Sequence, residues 1–549
     1  MPIATLIHFE QGLNPDMGLK TADPIPTPAF FRTYIYILSI SPTLLGKETR
    51  MFLILLSSAL TYVICWFGYT FLLHSYRDVD PLVLYHQSSV ANTRKEGETA
   101  VYRSVDTPHG IDLVTGLRIS WKYKLRDGNL KDIWKLGINH NSKITFGQEE
   151  YSMDSLTKTM QALSNYIESS QFSCIGVDLS QYEWFIIILT GLCSLRDFTL
   201  HFHEDLIETY TSTEPKVIFT SFAYLDRVLK SDFDTIVLVD SPPCPLVIDS
   251  RVATFSSLNL INENAEEYEY TFDLKDDTRN LLVQHSQGDA FTYNQRCFVS
   301  SISALLQSLP TEHEWSTKDR LLTTFTNDIT FNLNSLVKIF GALVTGINVR
   351  ILPPQKLISE LDNSTILNIP DNLLYQLMPK RNSFLVSRSR WLFSKGVFNK
   401  IAELPSFRPL RLIYTSILEP PSVSSPFSSS YNYVQAITGA RIINERLYEH
   451  IVGPIVKTNL FDYRITGGFV DRKHTFPRKL GVSANNGELI LRDYQDYSAD
   501  QKEGKLSVRG FNVGIKDIDE FRKDDYWTHT DIVGKFGGDG VLYEDIATH

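Results

Sequence analysis

The chain has 549 residues, 43% of them hydrophobic and 21% charged, which excludes an intrinsically disordered or collagen-like polypeptide. At roughly 150 residues per domain it is long enough for three or four domains, or for one large body with subdomains. Its 53 Lys+Arg against 63 Asp+Glu leave a net charge of −10; with no broad cationic footprint for a phosphate backbone, nucleic acid is not expected as a partner.

The N-terminal segment, residues 1–50, contains the uncharged run Thr33–Leu45, which is interrupted by Pro42. It is too short to cross a bilayer and suits the interface. Residues 51–73, MFLILLSSALTYVICWFGYTFLL, carry no charge and are bounded by Arg50 and Arg77. As a helix this run measures about 34 Å, against a hydrocarbon core of roughly 30 Å. Tyr62, Trp66 and Tyr69 are amphipathic rings of the kind found at membrane interfaces. The run therefore predicts a single transmembrane helix, with a buried core helix as the alternative. A cleavable signal fits less well, because the run starts far from Met1 and exceeds the roughly 7–15-residue apolar core of such signals. Lys47 and Arg50 on one side face Arg77, Arg94 and Lys95 on the other, so charge does not set the orientation.

Residues 95–460 read as an α/β body, polar and rich in turns up to about residue 150. Beyond that, DSLTKTMQALSNYIESS has apolar positions at helical spacing, SCIGVDLS is a short strand, and EWFIIILTGLCSL is a buried helix. KVIFTS and DTIVLVDS are β-branched strands divided by the helix-like AYLDRVLKS. Gln295–Leu309 is a helix, and STKDRLLTTFTND with SLVKIFGALVTGINVRILPP reads as strand, loop, helix and strand. GVFNKIAELPSFRPLRLIYTSIL predicts a further helix and strand, and the Ser/Pro tract Pro420–Ser430 a loop. Strands alternating with helices imply parallel sheets covered by helices on both faces. Residues 461–549, with NNGELILRDY, EGKLSVRGFNVG and FGGDGVLYED, form a smaller β-rich subdomain. Cys65, Cys174, Cys193, Cys244 and Cys297 include no C-x-x-C pair and read as buried free thiols of a reducing compartment.

Three landmarks stand in order near the C-terminus. They are Glu503-Gly504-Lys505-Leu506-Ser507-Val508-Arg509-Gly510-Phe511-Asn512-Val513-Gly514, then Asp525-Tyr526-Trp527-Thr528-His529-Thr530-Asp531-Ile532, then Gly538-Asp539-Gly540-Val541-Leu542-Tyr543-Glu544-Asp545. They resemble the G-E-L-x-x-R-G-x-N-V, D-G-W-x-x-T-G-D-I and D-G-x-L-x-I-x-D-R segments of the adenylate-forming (AMP-dependent synthetase/ligase) superfamily, which contains acyl-CoA synthetases and fatty-acid transport proteins. SCIGVDLSQYEWFIIILTGLCSL, KVIFTS, TIVLVD and STKDRLL resemble its earlier segments more loosely, so the likeness covers about residues 95–548. It implies an α/β fold: the layered large N-terminal domain of the adenylate-forming fold with a small β-rich subdomain, here preceded by a transmembrane helix.

The resemblance also implies which groups the chemistry needs. The family surrounds a triphosphate with a T-S-G-T-T-G-x-P-K-G loop. At the matching place stand His285-Ser286-Gln287-Gly288-Asp289-Ala290-Phe291-Thr292-Tyr293-Asn294, with one glycine, no lysine, and Asp289 where phosphate oxygens belong. The Y-G-x-T-E element, whose carboxylate helps hold Mg²⁺, falls on residues 440–454. Tyr448 stands there for the family tyrosine, but Glu449 replaces the glycine and no T-E pair follows. Asp531 matches the ribose-binding aspartate without its preceding glycine, and Ile546 replaces the final arginine. Because the chain ends at His549, the family's mobile C-terminal domain with its catalytic lysine is expected to be missing.

Tyr448 and Asp531 are thus the expected remnants of a nucleotide site, with no catalytic residue, no metal ligand and no bound cofactor. ATP or AMP with Mg²⁺ enters only under the alternative of an active, divergent acyl-CoA synthetase. The expected protein is a membrane-anchored pseudoenzyme of lipid metabolism, a scaffold or a lipid- or partner-binding protein, with the membrane and proteins docking on the α/β body as partners. The expected setting is single-pass in the endoplasmic reticulum with a cytosolic body. His201-Phe202-His203-Glu204-Asp205 places two histidines on one strand face, where a solvated strand end is the plainer reading than a metal site. Gly534–Gly540 lacks the G-K-[ST] ending of a phosphate loop and reads as a β-turn. The acidic run Glu266, Glu267, Glu269, Asp273, Asp276 and Asp277 reads as a solvated strand or loop. No G-x-S-x-G elbow anchors a hydrolase triad.

Overall fold

The structure, a computed structural model, describes residues 47–121, 124–167, 170–203, 216–240, 249–258, 260, 268–286, 289–381, 383–418, 428–464 and 478–545. The run Thr33–Leu45, Glu204 and Asp205, Cys244, Glu266 and Glu267, most of the Ser/Pro tract and Ile546 lie outside the described residues. The chain divides into two compact units, residues 1–72 and 73–549.

In the first unit the described residues belong to the helix Lys47–Tyr76, which ends just beyond the boundary. Its stretch Ile54–Tyr76, 23 residues with a mean hydropathy of 1.5, is the one helix among the described residues long and apolar enough to cross a membrane. Its large apolar side chains, Phe52, Ile54, Phe67 and Phe71 among them, are exposed, unlike those of a core helix. Ser57 and Thr61 donate their hydroxyls back to the carbonyls of Ile54 and Ser57, at 2.9 and 2.8 Å, so these polar groups are satisfied within the helix.

The second unit is layered. Among the described residues, one sheet runs Val252–Thr254, Thr235–Leu238, Val217–Thr220, Gln171–Ile175, Thr199–His203, Asn280–Ser286 and Asp289–Asn294, parallel except for the last strand, which returns as a hairpin. A longer sheet has a parallel half, Lys143–Phe146, Asn348–Ile351, Arg320–Thr323, Ile366–Pro370, Leu412–Ile417 and Arg441–Arg446. Through Val456–Lys457 it continues antiparallel into Arg478–Ser483, Leu542–Glu544, Thr528–Phe536, Glu503–Gly510 and Gly487–Arg492. The strands Ala100–Ser104 and Ser88–Thr93 complete that β-rich end, so residues far apart in sequence share it. The parallel strands Ile366–Pro370 and Leu412–Ile417 are buried at every position, which is why they read as continuous rather than alternating runs.

The helices Leu130–Asn139, Met153–Tyr166, Tyr182–Cys193, Gln295–Gln307 and Ile329–Thr345 contribute to one hydrophobic core with residues of both sheets. Trp184 to Cys193 are buried without exception, as a helix enclosed on all sides requires. Helices Asp371–Leu377, Phe384–Ser394 and Ser428–Thr438 pack on the opposite face of the long sheet, through Leu374, Val386, Phe393, Val434 and Ile437.

Three sequence expectations are corrected. No α-helix forms in GVFNKIAELPSF: the Asn399 side chain accepts hydrogen bonds from Ser389 and the Ile401 N–H, the chain turns, and Pro405 opens only a short 3₁₀ turn. His201 and His203 are not a solvated strand end. His203 is buried, its ring stacks on His285 at 4.4 Å between centroids, and His201 Nδ1 lies 3.0 Å from His285 Nε2. In the acidic run, Asp277 is buried against Arg126 at 2.9 Å and accepts from the Gly128 N–H, so that member is structural.

Candidate functional site

Of the residues matched to the triphosphate loop, Gln287 and Gly288 lie outside the described residues; on either side of them Asn280–Ser286 pairs in antiparallel register with Asp289–Asn294. Asn294 then caps the helix Gln295–Gln307, its side chain accepting from the Cys297 N–H at 3.1 Å. The returning strand is engaged along its length. Thr292 and Ile515 exchange both backbone hydrogen bonds at 2.9 Å. The Phe291 ring lies flat on the His450 imidazole, 3.4 Å between centroids and 3° from parallel. Asp289 pairs with Lys516 at 2.7 Å, and the Gly514 N–H donates to the His450 carbonyl at 2.8 Å. Burial pushes the His450 imidazole down to about 4, with Asp289 pulling the other way.

Tyr448 and Asp531, distant in sequence, meet. The Asp531 N–H donates to the Tyr448 hydroxyl at 3.1 Å, and that hydroxyl lies 3.4 Å from Asp531 Oδ2. Lys505 pairs with the other carboxylate oxygen at 3.0 Å. Asp531 stays 87% exposed, whereas Tyr448 is half-buried and its phenol is pushed up to about 12, by burial first and then by Asp531.

The strand Arg441–Arg446 turns Glu445 inward onto Lys338 of the helix Ile329–Thr345. The ammonium also sits 4.3 Å from the centre of the Tyr414 ring, and Asn334 donates to the second carboxylate oxygen at 2.9 Å. A cavity of about 250 Å³ adjoins the site, lined by Asp106, Gln307, Lys457 and Thr458 among others. Burial lowers the Lys457 ammonium to about 8, with Asp106 and Glu445 opposing.

No family model matches the sequence. A protein of Saccharomyces cerevisiae described only as uncharacterized, YHR045W, is 25% identical over 535 residues, covering 87% of this chain and 96% of its own. Among solved structures, the luciferase-like enzyme of the nonluminescent mealworm Zophobas morio aligns over 79% of this chain and 99% of its own, with a TM-score of 0.51 and 13% identity. The inhibitor-bound N-terminal domain of FACL13 from Mycobacterium tuberculosis gives 0.52 and 11%, covering 76% of this chain and 98% of that domain. A McyG A-PCP structure holding phenylalanyl-adenylate gives 0.52 and 11%, over 79% of this chain and 77% of its own.

The chain has the adenylate-forming fold. ATP and Mg²⁺, which an adenylate-forming fold implies, would need free N–H groups and cationic side chains where this strand is already engaged. The strand matched to the phosphate loop is hydrogen-bonded to Ile515, its one acid is paired with Lys516, and the Phe291 ring is stacked on His450. Among the described residues no group of three His, Cys, Asp or Glu is arranged to hold a metal ion. Sequence reading missed Phe291, His450, Lys516, Lys338, Glu445 and Lys457. Lys338, the one charged residue of its helix, was a visible signal of a buried partner; the contacts Lys338–Glu445, Phe291–His450 and Asp289–Lys516 span 107, 159 and 227 positions, which no local pattern announces.

Proposed function

We propose that this protein is a membrane-tethered member of the adenylate-forming fold that does not activate carboxylates and serves instead as a scaffold or lipid-associated binding protein. The observation that supports this most is the sealed hairpin: Asp289 on Lys516, Phe291 on His450 and Thr292 on Ile515 occupy the strand the reaction would need for phosphate. Opening it would strip two backbone hydrogen bonds and an ion pair before any nucleotide contact formed. The helix Ile54–Tyr76 supports the tether, because its length and hydropathy suit a bilayer core and its outward side chains suit lipid.

The test uses the full chain in neutral detergent with Mg-ATP at saturating concentration. A ligand at 100 times its Kd stabilises the state it binds by about 2.7 kcal/mol, an easily read rise in melting temperature. The expected result is no magnesium-dependent rise and no pyrophosphate release with fatty acids or other carboxylates. A clear rise together with AMP formation establishes the active synthetase instead. The tether is checked separately, by resistance of the full chain to alkaline carbonate extraction.

A further inference from the structure

Between residues 372 and 402 the chain carries Lys380, Arg381, Arg388, Arg390, Lys395 and Lys400 and not one Asp or Glu, although the whole chain has a net charge of −10. The fold concentrates part of this charge. Lys380, Arg381 and Arg390 line a single concavity of about 390 Å³ with Tyr375, Met378, Ser430 and Tyr433. Its rim is clipped in place: the Tyr433 hydroxyl donates to the Pro379 carbonyl at 2.8 Å and accepts from the Arg381 N–H. The turn bearing Lys380 and Arg381 is thereby tied to the helix Ser428–Thr438.

The adjoining helix Phe384–Ser394 faces two ways. Val386, Ser389 and Phe393 are buried, while Phe384 is 77% and Trp391 47% exposed. Phe384, Arg388 and Trp391 fall at i, i+4 and i+7, so two aromatic rings and a guanidinium share one outward stripe, with exposed Leu385 beside it. Aromatic rings interleaved with arginines are costly in bulk water but suit the headgroup level of a bilayer.

What covers this surface follows from where the chain arrives. Directly after the apolar helix, Arg77 donates to the Lys395 carbonyl at 2.9 Å and the Asp78 N–H to the Gly396 carbonyl at 3.4 Å, while Asp78 pairs with Arg441 at 2.7 Å. The polypeptide therefore joins the body on the turn that ends the aromatic helix. The residues that follow the apolar helix in the chain are thus bonded to the same turn and helix that carry the exposed aromatic and basic side chains.

We propose that this concavity binds the phosphate of an anionic phospholipid headgroup, with Lys380, Arg381 and Arg390 as its cationic ligands, while Phe384, Leu385 and Trp391 enter the surrounding lipid. The proposal rests on the tethered reading of the preceding section. Guanidinium and ammonium groups complement a phosphate monoester or diester, and each basic side chain at an anionic surface raises affinity about five-fold.

The test is native mass spectrometry of the full chain released from mixed micelles containing equal phosphatidylcholine and phosphatidic acid. The expected result is preferential retention of phosphatidic acid. Replacing Lys380→Gln together with Arg381→Gln, both exposed side chains, should lower that retention roughly 25-fold. The same charge change at exposed positions elsewhere, Lys158→Gln with Lys523→Gln, should leave it unchanged. Excess inorganic phosphate should not displace the lipid, because it lacks the acyl chains. Equal retention of both lipids, an unaffected Lys380/Arg381 variant, an equal loss in the control variant, or displacement by free phosphate each overturns the site. Because carbonate extraction is read independently, a chain that stays membrane-integrated yet shows no lipid preference sinks this inference and leaves the tether standing.

Discussion

The most demanding check on this reading of the core is the Lys338–Glu445 pair. Both side chains are essentially solvent-free, at 0% and 1% exposure, and they join the helix Ile329–Thr345 to the strand Arg441–Arg446. Burial pulls the Lys338 ammonium downward and Glu445 holds it up. Lys338→Met removes the paired cation and leaves the carboxylate with the Asn334 amide, which donates at 2.9 Å, and the more weakly coupled Lys457 across the strand pair. Breaking a buried pair in this way costs about 3–5 kcal/mol, whereas replacing both partners by apolar groups is often neutral. Lys338→Met alone should therefore lower the unfolding transition by several degrees, and Lys338→Met with Glu445→Leu should recover most of the loss. The double-mutant cycle should give a coupling of roughly 3 kcal/mol. Denaturant and thermal unfolding of the full chain, followed by tryptophan fluorescence, read all four corners. A single variant as stable as wild type, or a double variant no better than the single, would refute the idea that the carboxylate is stranded by loss of its partner.

Other outcomes follow from the same contacts. Burial holds His201 and His450 down to about 4 and His203 to about 3, against an ordinary 6.5. Depressed histidines bind protons more readily in the unfolded chain, so stability should be full above pH 6.5 and fall as pH drops towards 4; His450→Phe, which keeps a ring on Phe291, should flatten part of that slope in denaturant titrations. At Gly481, where φ is +116°, a Cβ would lie 2.0 Å from the Lys457 carbonyl oxygen. Gly481→Ala should cost more than about 3 kcal/mol and lower the melting temperature visibly; an unchanged transition would contradict the strand crossing. Asn512, buried and donating to the Val452 carbonyl at 3.2 Å, should lose about 1–3 kcal/mol on replacement by Ala, while Asp531→Ala should stay within about 0.5 kcal/mol in the same assay.

Much of the fold was legible because its central strands and helices announce themselves locally. A β-branched run such as Val217–Thr220 or a wholly apolar helix such as Tyr182–Cys193 has few alternatives once its flanks are polar. The gaps share a physical cause. Ala100–Ser104 pairs with a strand nearly 390 positions later and carries Ser88–Thr93 on its other side, and a short, partly exposed edge strand has no pattern naming its neighbour. The basic, aromatic helix Phe384–Ser394 was hidden because the chain's overall negative charge masks a local cationic run. At the site, Tyr448 and Asp531 were found as separate residues, but their hydrogen bond and the Phe291–His450 stack are products of tertiary structure alone.

That asymmetry explains why the C-terminal landmarks persist while the phosphate hairpin departs from the family pattern. A Cβ on Gly504 would sit 2.2 Å from the Arg492 carbonyl oxygen across the strand pair. Asn512 exchanges hydrogen bonds with Val452, and Thr530 donates to the Leu506 carbonyl at 2.9 Å. Asp539 receives Arg464, the Tyr543 hydroxyl and the Val541 N–H. Each of these residues is required by the fold itself, whatever happens to nucleotide. The hairpin Asn280–Asn294 is different: a loop selected to surround phosphate must leave its N–H groups free, and here Thr292 spends its backbone on Ile515. Residues that build the sheet are held by its own packing whatever the chemistry, so a resemblance carried by them predicts architecture more securely than activity.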